Sequence, residues 1–214
     1  MSVGGAVKII LLGAILGVIE RAIAEDNPHL NVIVRFSAEL PDGLVADAET
    51  SSARVFAKAG VAMQWRNCPA RDGEFLDDAC QGSTGGNDLV LQIVPRAERA
   101  QGAVFGVAFV SGSGGAYADI FFDRIQRIHD ENRKISIATL LGYVMAHEIG
   151  HLLLGEHSHS QAGLMLGKWH ADELAKIGRG GLYFDSREAG LLHARVVELN
   201  AAQTLAVVAS ESGN

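Results

Sequence analysis

Apolar residues along the chain follow two spacings, one typical of β-strands and one typical of helices. Five short, largely apolar runs predict strands, the first of them rich in β-branched residues. Apolar residues three and four positions apart predict helices, among them a long apolar helix with Ser136 at its N-cap and Gly155 at its end. The polar residues 123–134 predict a connecting segment. The predicted strands are 31–37, 61–65, 88–94, 103–110 and 116–122, and the predicted helices are 44–59, 137–154, 170–177 and 186–199.

The order of these elements predicts an α+β fold. One strand–helix–strand unit is followed by a run of strands and then by helices, which favours a mixed β-sheet packed on the N-terminal helix and on the helix at 137–154, with further helices at the C-terminus. The chain has 214 residues and no internal repeat or low-complexity linker. We therefore expect one domain at 25–200, followed by a flexible tail at 201–214.

The N-terminus has the pattern of an export signal. Residues 1–8 carry one positive charge, residues 9–19 form an apolar run, and Ala22-Ile23-Ala24 has the small-x-small form of a signal peptidase site. The apolar run is short for a bilayer core of about 30 Å. These features predict a signal peptide at 1–24, a secreted or periplasmic protein, and no membrane span after signal removal. An uncleaved anchor or a buried helix is the alternative.

Composition and charge narrow the class of protein further. Hydrophobic residues make up 48% of the chain and charged residues 20%, which is enough apolar material for a core. The formal net charge is −7, and lysine and arginine form no cluster along the sequence. Because nucleic-acid binding depends on a positive surface, nucleic acid is not expected as a partner.

Two cysteines, Cys68 and Cys80, flank a polar stretch of sequence. In an oxidising compartment they would close a short loop, which stabilises a fold by about 3 kcal/mol on a chain-entropy estimate. Their spacing does not fit a CxxC metal or redox pair. We expect a structural disulfide, with two unrelated thiols as the alternative.

The segment MAHEIGHLLLGEHSHSQAGLM, residues 145–165, carries the candidate chemistry. His147 and His151 are four residues apart on a predicted helix, so their Cβ atoms lie about 5–6 Å apart on one face and both imidazoles can bind one cation. Glu148 lies beside them and can act as a base toward water, which completes an HExxH pattern. His157 and His159 follow the predicted helix end, within reach of the same metal.

The grouping of histidines supports a metal site over a solvated surface helix. Five of the eight histidines of the chain lie between positions 147 and 170, a concentration that solvation alone does not explain. The pattern also falls on an independently predicted helix, which is the context that the chemistry requires.

This segment resembles the active-site helix of the zincin metallopeptidases, and more closely that of the metzincins, whose pattern is HExxHxxGxxH followed by a methionine turn. His147, Glu148, His151 and His157 have the metzincin spacing, and Met165 in Gly163-Leu164-Met165 is similar to the methionine of that turn. The resemblance implies a zincin-like fold in which three histidines hold Zn²⁺, water takes the open fourth position, and Glu148 is the general base of peptide hydrolysis.

The chain departs from the metzincin pattern at the turn after the helix. The metzincin glycine falls where this chain has Leu154, and Gly155 comes one residue later. The third ligand is therefore His157 or His159: the spacing slightly favours His157, whereas His159 fits a longer turn. A glutamate from the next helix, Glu173, is a less favoured alternative.

The sequence thus predicts an exported, monomeric zinc metalloendopeptidase with a peptide or protein substrate. The strand at 103–110 and the glycine-rich turn after it could pair with an extended peptide. Two other classes share these residues: an exported domain in which zinc bound by both His157 and His159 only stabilises the fold, and a zinc amidase that acts on cell-wall amides.

Overall fold

The structure is a computed structural model, and it describes residues 27–37, 39–81, 88–96, 104–111, 114–155 and 157–212. The predicted signal peptide, residues 1–24, lies outside the described residues. The limits of the domain therefore stay predictions.

A mixed β-sheet of six strands forms the centre of the described part of the chain. The strand order is β3-β2-β1-β4-β6-β5, in which the four inner strands are parallel and the two edge strands, β3 and β5, are antiparallel to their neighbours. The strands are β1 His29–Ser37, β2 Ala62–Arg71, β3 Glu74–Phe75, β4 Leu89–Val94, β5 Gly106–Ser111 and β6 Gly114–Phe121.

Five α-helices accompany the sheet in the described residues. They are α1 Leu44–Lys58, α2 Phe122–Glu131, α3 Ile137–Leu154, α4 Ala171–Gly178 and α5 Ser186–Ser212, and a short 3-10 turn covers Asp78–Cys80. The α+β fold with a mixed sheet, an N-terminal helix and C-terminal helices is confirmed.

The alternation of side chains along β1 separates the two faces of the sheet. Val32 and Val34 face the main core, which they share with the apolar faces of α1 and α3. Ile33 points to the opposite face and packs with Val90 and the two cysteines. Cys68 and Cys80 form a disulfide with their Cα atoms 5.7 Å apart, which confirms the predicted bond. The helices cover one face, and the disulfide-closed loop packs on the other.

Helix α3 is the centre of the main core. It is buried on almost every side, as expected for a helix that is apolar all round. Gly142 allows this burial, because a Cβ there would collide with the carbonyl of Ala48 in α1. Among the described helices, α3 alone is long and apolar enough to cross a membrane, and two thirds of it, 67%, is buried inside this fold.

The structure differs from the predicted elements in one strand region and in two helices. Strand β2 continues to Arg71, past the predicted end at residue 65, and pairs there with β3, which was not predicted. Helix α2 occupies most of the segment 123–134 that was predicted as a connection. The sequence pattern did not predict this helix because only Phe122 and Ile125 are buried and most of its other residues are polar. Helix α5 continues to Ser212, past the predicted end at residue 199 and into the predicted tail, although its described side chains beyond residue 200 are exposed.

Glu49 of α1 carries a buried carboxyl group. Glu49 is 8% exposed, and its Oε2 atom accepts a hydrogen bond of 3.4 Å from the side-chain amide of Asn67. Its Oε1 atom has no hydrogen-bond partner in the described part of the chain. Burial raises the pKa of Glu49 from an ordinary value of 4.5 to about 7. The ionised form is therefore disfavoured in the folded state.

We expect Glu49→Gln to raise the free energy of unfolding more at pH 8 than at pH 5. Because the folded pKa is higher than the unfolded one, the stabilisation from the protonated carboxyl is complete below about pH 4.5 and is lost as the pH rises through about 7. The neutral amide avoids that loss, which amounts to at most about 3 kcal/mol. Urea unfolding at both pH values measures the difference, with Glu74→Gln at an exposed position as the control for charge. Equal effects of Glu49→Gln at both pH values would contradict the expectation.

Candidate metal centre

Local signals place the two motif histidines on one regular helix. The Ser136 hydroxyl accepts a hydrogen bond of 3.0 Å from the Thr139 N–H and so caps the start of α3. Gly155 ends the helix with φ 84°, and its N–H donates to the carbonyl of His151 at 2.9 Å. His147 and His151 therefore lie one turn apart on the same face, as their spacing predicted.

Three histidines converge through their Nε2 atoms. Nε2 of His151 lies 3.1 Å from Nε2 of His147 and 3.1 Å from Nε2 of His159. All three ligand atoms lie within 4.8 Å of one another. Tetrahedral zinc with Zn–N bonds of 2.0–2.1 Å separates its nitrogen ligands by about 3.3 Å. The cluster therefore fits Zn²⁺ binding.

The Nδ1 atoms of His147 and His151 form hydrogen bonds with groups outside the cluster. Nδ1–H of His147 donates to the carbonyl of Leu164 at 2.8 Å, and Nδ1 of His151 lies 2.7 Å from the hydroxyl of Ser158. Burial lowers the pKa of His147 to about 4 and that of His151 to about 3. Both rings are therefore neutral near pH 7. Their Nε2 lone pairs face one another, an arrangement that a bound cation stabilises.

The chain after the helix folds back under the histidines. Gly163 turns with φ 80°, and the Ser160 N–H donates to the carbonyl of Met165 at 2.9 Å. Met165 is fully buried against α3, where a Cβ on Gly150 would lie 2.5 Å from its sulfur. Met165 thus supports the helix between the two motif histidines. That this turn is the metzincin methionine turn stays a prediction.

The carbonyl of Leu164 joins the turn to the site. It accepts from His147 and also from Nε1–H of Trp169 at 3.1 Å. The Trp169 ring meets His147 edge to face, with ring centroids 5.6 Å apart. The Leu164 carbonyl therefore orients both His147, a candidate metal ligand, and the Trp169 ring beside it.

The structure brings His159, and not His157, into the cluster with the helical histidines. The spacing slightly favoured His157, but its side chain lies outside the cluster, and the chain passes through it with φ 59°. That His159 is the third ligand stays a prediction. The His157 side chain is exposed and lines the cavity that opens over the histidine cluster. Glu173 lies outside the cluster, because its carboxylate accepts from the His170 N–H at 3.1 Å and caps α4.

Glu148 lies against the edge strand of the sheet. It is 4% exposed, and burial raises its pKa to about 8. A divalent cation on the adjacent histidines would oppose that shift by favouring the carboxylate. In β5, a Cβ on Gly106 would lie 2.6 Å from Oε1 of Glu148, so only glycine leaves room for this close approach. Sequence reasoning missed Gly106, for which an isolated glycine in a strand was the available signal.

A cavity of about 630 Å³ opens over the histidine cluster. Helices α2 and α3, strand β5 and the segment after Met165 form its walls, and the rings of Phe105 and Trp169 pack in it with centroids 5.6 Å apart. The structure thus places a candidate metal site, a buried carboxyl and a substrate-sized space together.

We expect His159→Ala to lose bound zinc and His157→Ala to keep it. His147→Ala and His151→Ala should also lose zinc, because tetrahedral zinc is held weakly by two protein ligands. Metal content per chain, measured after dialysis against a weak chelator, tests this, and circular dichroism shows whether each variant still folds. Zinc lost from His157→Ala and retained by His159→Ala would assign the third ligand to His157 instead.

The chain matches no protein-family profile. No curated protein matches its sequence. Solved structures with the same fold include archaemetzincin from Methanopyrus kandleri, with 18% identity, a TM-score of 0.51, and coverage of 81% of this chain and 99% of that chain. They also include a zinc-dependent peptidase from Methanocorpusculum labreanum, with 16% identity, a TM-score of 0.50, and coverage of 76% and 100%. At these identities the likeness establishes the fold: this chain has the mixed α/β architecture of those two proteins.

Proposed function

We propose that this chain is a zinc-dependent metalloendopeptidase. The observation that carries the proposal is the convergence of three histidine Nε2 atoms beside a buried glutamate, in a cavity bordered by the edge strand of the sheet. The names of the two solved structures with the same fold, an archaemetzincin and a zinc-dependent peptidase, support the class of reaction.

His147, His151 and His159 would hold the metal. Zn²⁺ bound there would polarise the peptide carbonyl and acidify water in an open coordination position. The hydrogen bonds from His147 to Leu164 and between His151 and Ser158 keep both rings oriented for that role.

Glu148 is the residue that moves the proton. As a carboxylate it accepts a proton from the attacking water, and it then donates that proton to the amine nitrogen as the C–N bond breaks. Its side chain lines the cavity with the histidines, and the backbone of β5 at Gly106 confines it on one side. This placement suits a base that acts on water and does not itself bind the metal.

Strand β5 supports cleavage within a chain. It is the last strand of the described sheet, and Gly106, Val107, Ala108 and Val110 line the cavity. An extended peptide could add to its outer edge by main-chain hydrogen bonds. A substrate bound in this way would cross the cavity and continue beyond the site in both directions, as an endopeptidase requires.

We expect Glu148→Gln to keep zinc and fold but to lower peptide hydrolysis by roughly 10²–10⁴-fold, the range for loss of a general base. The amide preserves the size of the side chain next to Gly106 and removes its basicity. Zinc content and kcat/KM on a mixed quenched-fluorescent peptide library measure the two effects. Glu198→Gln, which removes an exposed carboxylate on α5, is the control and should change neither.

Two results would replace the peptidase proposal. A zinc-loaded wild type that cleaves no peptide, or a fully active Glu148→Gln, would favour zinc that only stabilises the fold. Release of amino groups from cell-wall amides without peptide cleavage would assign the amidase reaction. The site does not favour zinc that only stabilises the fold, because His157 lies outside the three-histidine cluster and a purely structural site has no use for Glu148.

We also propose that the protein is exported. The disulfide between Cys68 and Cys80 supports this, because such bonds persist in oxidising compartments. We expect protein recovered from its native cells to begin at Glu25 and to contain no alkylatable thiol. Intact mass with and without reduction measures both. A mass that includes residues 1–24, together with two alkylated thiols, would contradict export.

A further inference from the structure

One face of α2 forms a wall of the cavity. Arg124, Arg127, Ile128 and Glu131 all line it. Their spacings of three and four residues place them on a single stripe of the helix. This stripe carries two guanidinium groups toward the space above His147 and Glu148, and we call it the arginine stripe.

In the described residues, no acidic residue of α2 forms an ion pair with Arg127 of the arginine stripe. Asp130 lies off the stripe and forms an exposed ion pair of 2.9 Å with Arg133. Asp123 is not among the residues that line the cavity. Within the described residues, no carboxylate oxygen lies within 4.0 Å of the Arg127 guanidinium, the neighbouring Glu131 included. Arg127 is exposed and therefore accessible to a ligand.

The segment after Met165 adds a third cation. Lys168 is exposed and lines the same cavity from a different part of the chain. Among the described residues that line the cavity, three carry a cationic side chain and Glu131 carries the one exposed carboxyl. The chain as a whole has a net charge of −7, so this cavity is positive against the trend of the molecule. Such a local excess favours an anionic ligand.

The remaining lining of the cavity is largely apolar. Val144 lies one turn before the motif on α3, Ile128 lies between the charged positions of α2, and the aromatic pair Phe105 and Trp169 closes another side. A ligand that fits must therefore combine an apolar group with a negative one.

We propose that the peptides cleaved at this site carry a carboxylate close to an apolar residue at the scissile bond, and that Arg127 binds that carboxylate. The inference rests on the proposed peptidase function and specifies its substrate class. A guanidinium can bind a carboxylate through two parallel N–H···O hydrogen bonds, which gives direction as well as charge. The carboxylate belongs either to an Asp or Glu side chain or to the free C-terminus of a short peptide.

Matched peptides test the proposal. Pairs of quenched-fluorescent peptides differ only by Asp against Asn at each position around an apolar residue, and a second set differs only by a free or an amidated C-terminus. We expect the zinc-loaded wild type to prefer one Asp position, or the free C-terminus, by about tenfold in kcat/KM. Which set shows the preference identifies the source of the carboxylate.

Variants then assign the preference to the arginine stripe. Arg127→Gln should reduce the ratio of kcat/KM between the acidic and the neutral peptide by about fivefold, as expected for loss of one charge-assisted contact at an accessible site. Arg127→Glu should favour a Lys peptide over the Asp peptide. Arg187→Gln, at an exposed position of α5 outside the cavity, is the matched control and should change neither ratio.

The outcomes separate this inference from the proposed function. Cleavage by the wild type with equal kcat/KM for every charged and neutral pair overturns the carboxylate proposal and leaves the peptidase function in place. A preference that persists in Arg127→Gln and Arg127→Glu overturns the role of the stripe. A wild type that cleaves no peptide while it holds zinc overturns the function and, with it, this inference.

Discussion

Three converging imidazole nitrogens, with Nε2 of His151 3.1 Å from each of the other two, are the constraint on which the rest of the site depends. Nitrogen lone pairs that point toward a common position repel one another unless a cation lies between them. The protein holds them there with contacts that do not involve the metal: the core around α3, the carbonyl of Leu164 and the buried Met165. The site is therefore preorganised by packing, and metal binding adds to the stability of a geometry that the fold already imposes.

Close packing against α3 sets the positions of the neighbouring elements. At Gly142 the helix meets α1, at Gly150 it meets Met165, and its Glu148 meets β5 at Gly106. Each contact is too close for a Cβ, so each glycine fixes a distance that a larger residue would increase. The two contacts near the motif determine how far the turn lies below the histidines and how far the edge strand lies from the carboxyl. Loss of either distance would move parts of the site relative to one another without removing any of its chemical groups.

Local signals in the sequence predicted the parts of the site that depend on local structure. The N-cap Ser136, the stop at Gly155 and the spacing of His147 and His151 determined α3 and its metal-binding face. The third ligand depends instead on how the chain turns after the helix, where φ 59° at His157 directs His159 into the cluster. No pattern in the residues themselves fixes that angle, because a non-glycine residue adopts it only when tertiary contacts compensate. Helix α2 was missed for a related reason, since its polar surface faces the cavity and solvent and leaves only a narrow apolar stripe.

Charge acts at two ranges in this molecule. The net charge of −7 repels an acidic peptide at a distance, but at about 0.1 M ionic strength charges separated by more than roughly 10 Å are largely screened. Arg127 and Lys168 line the cavity, so a carboxylate that contacts either of them there lies well inside that screening distance. On the proposed specificity, an acidic peptide would gain nothing from long-range attraction and would gain its preference from contacts inside the cavity. Discrimination between peptides would then lie in their dissociation rates more than in their rates of association, which is where differences among ligands of one site usually arise.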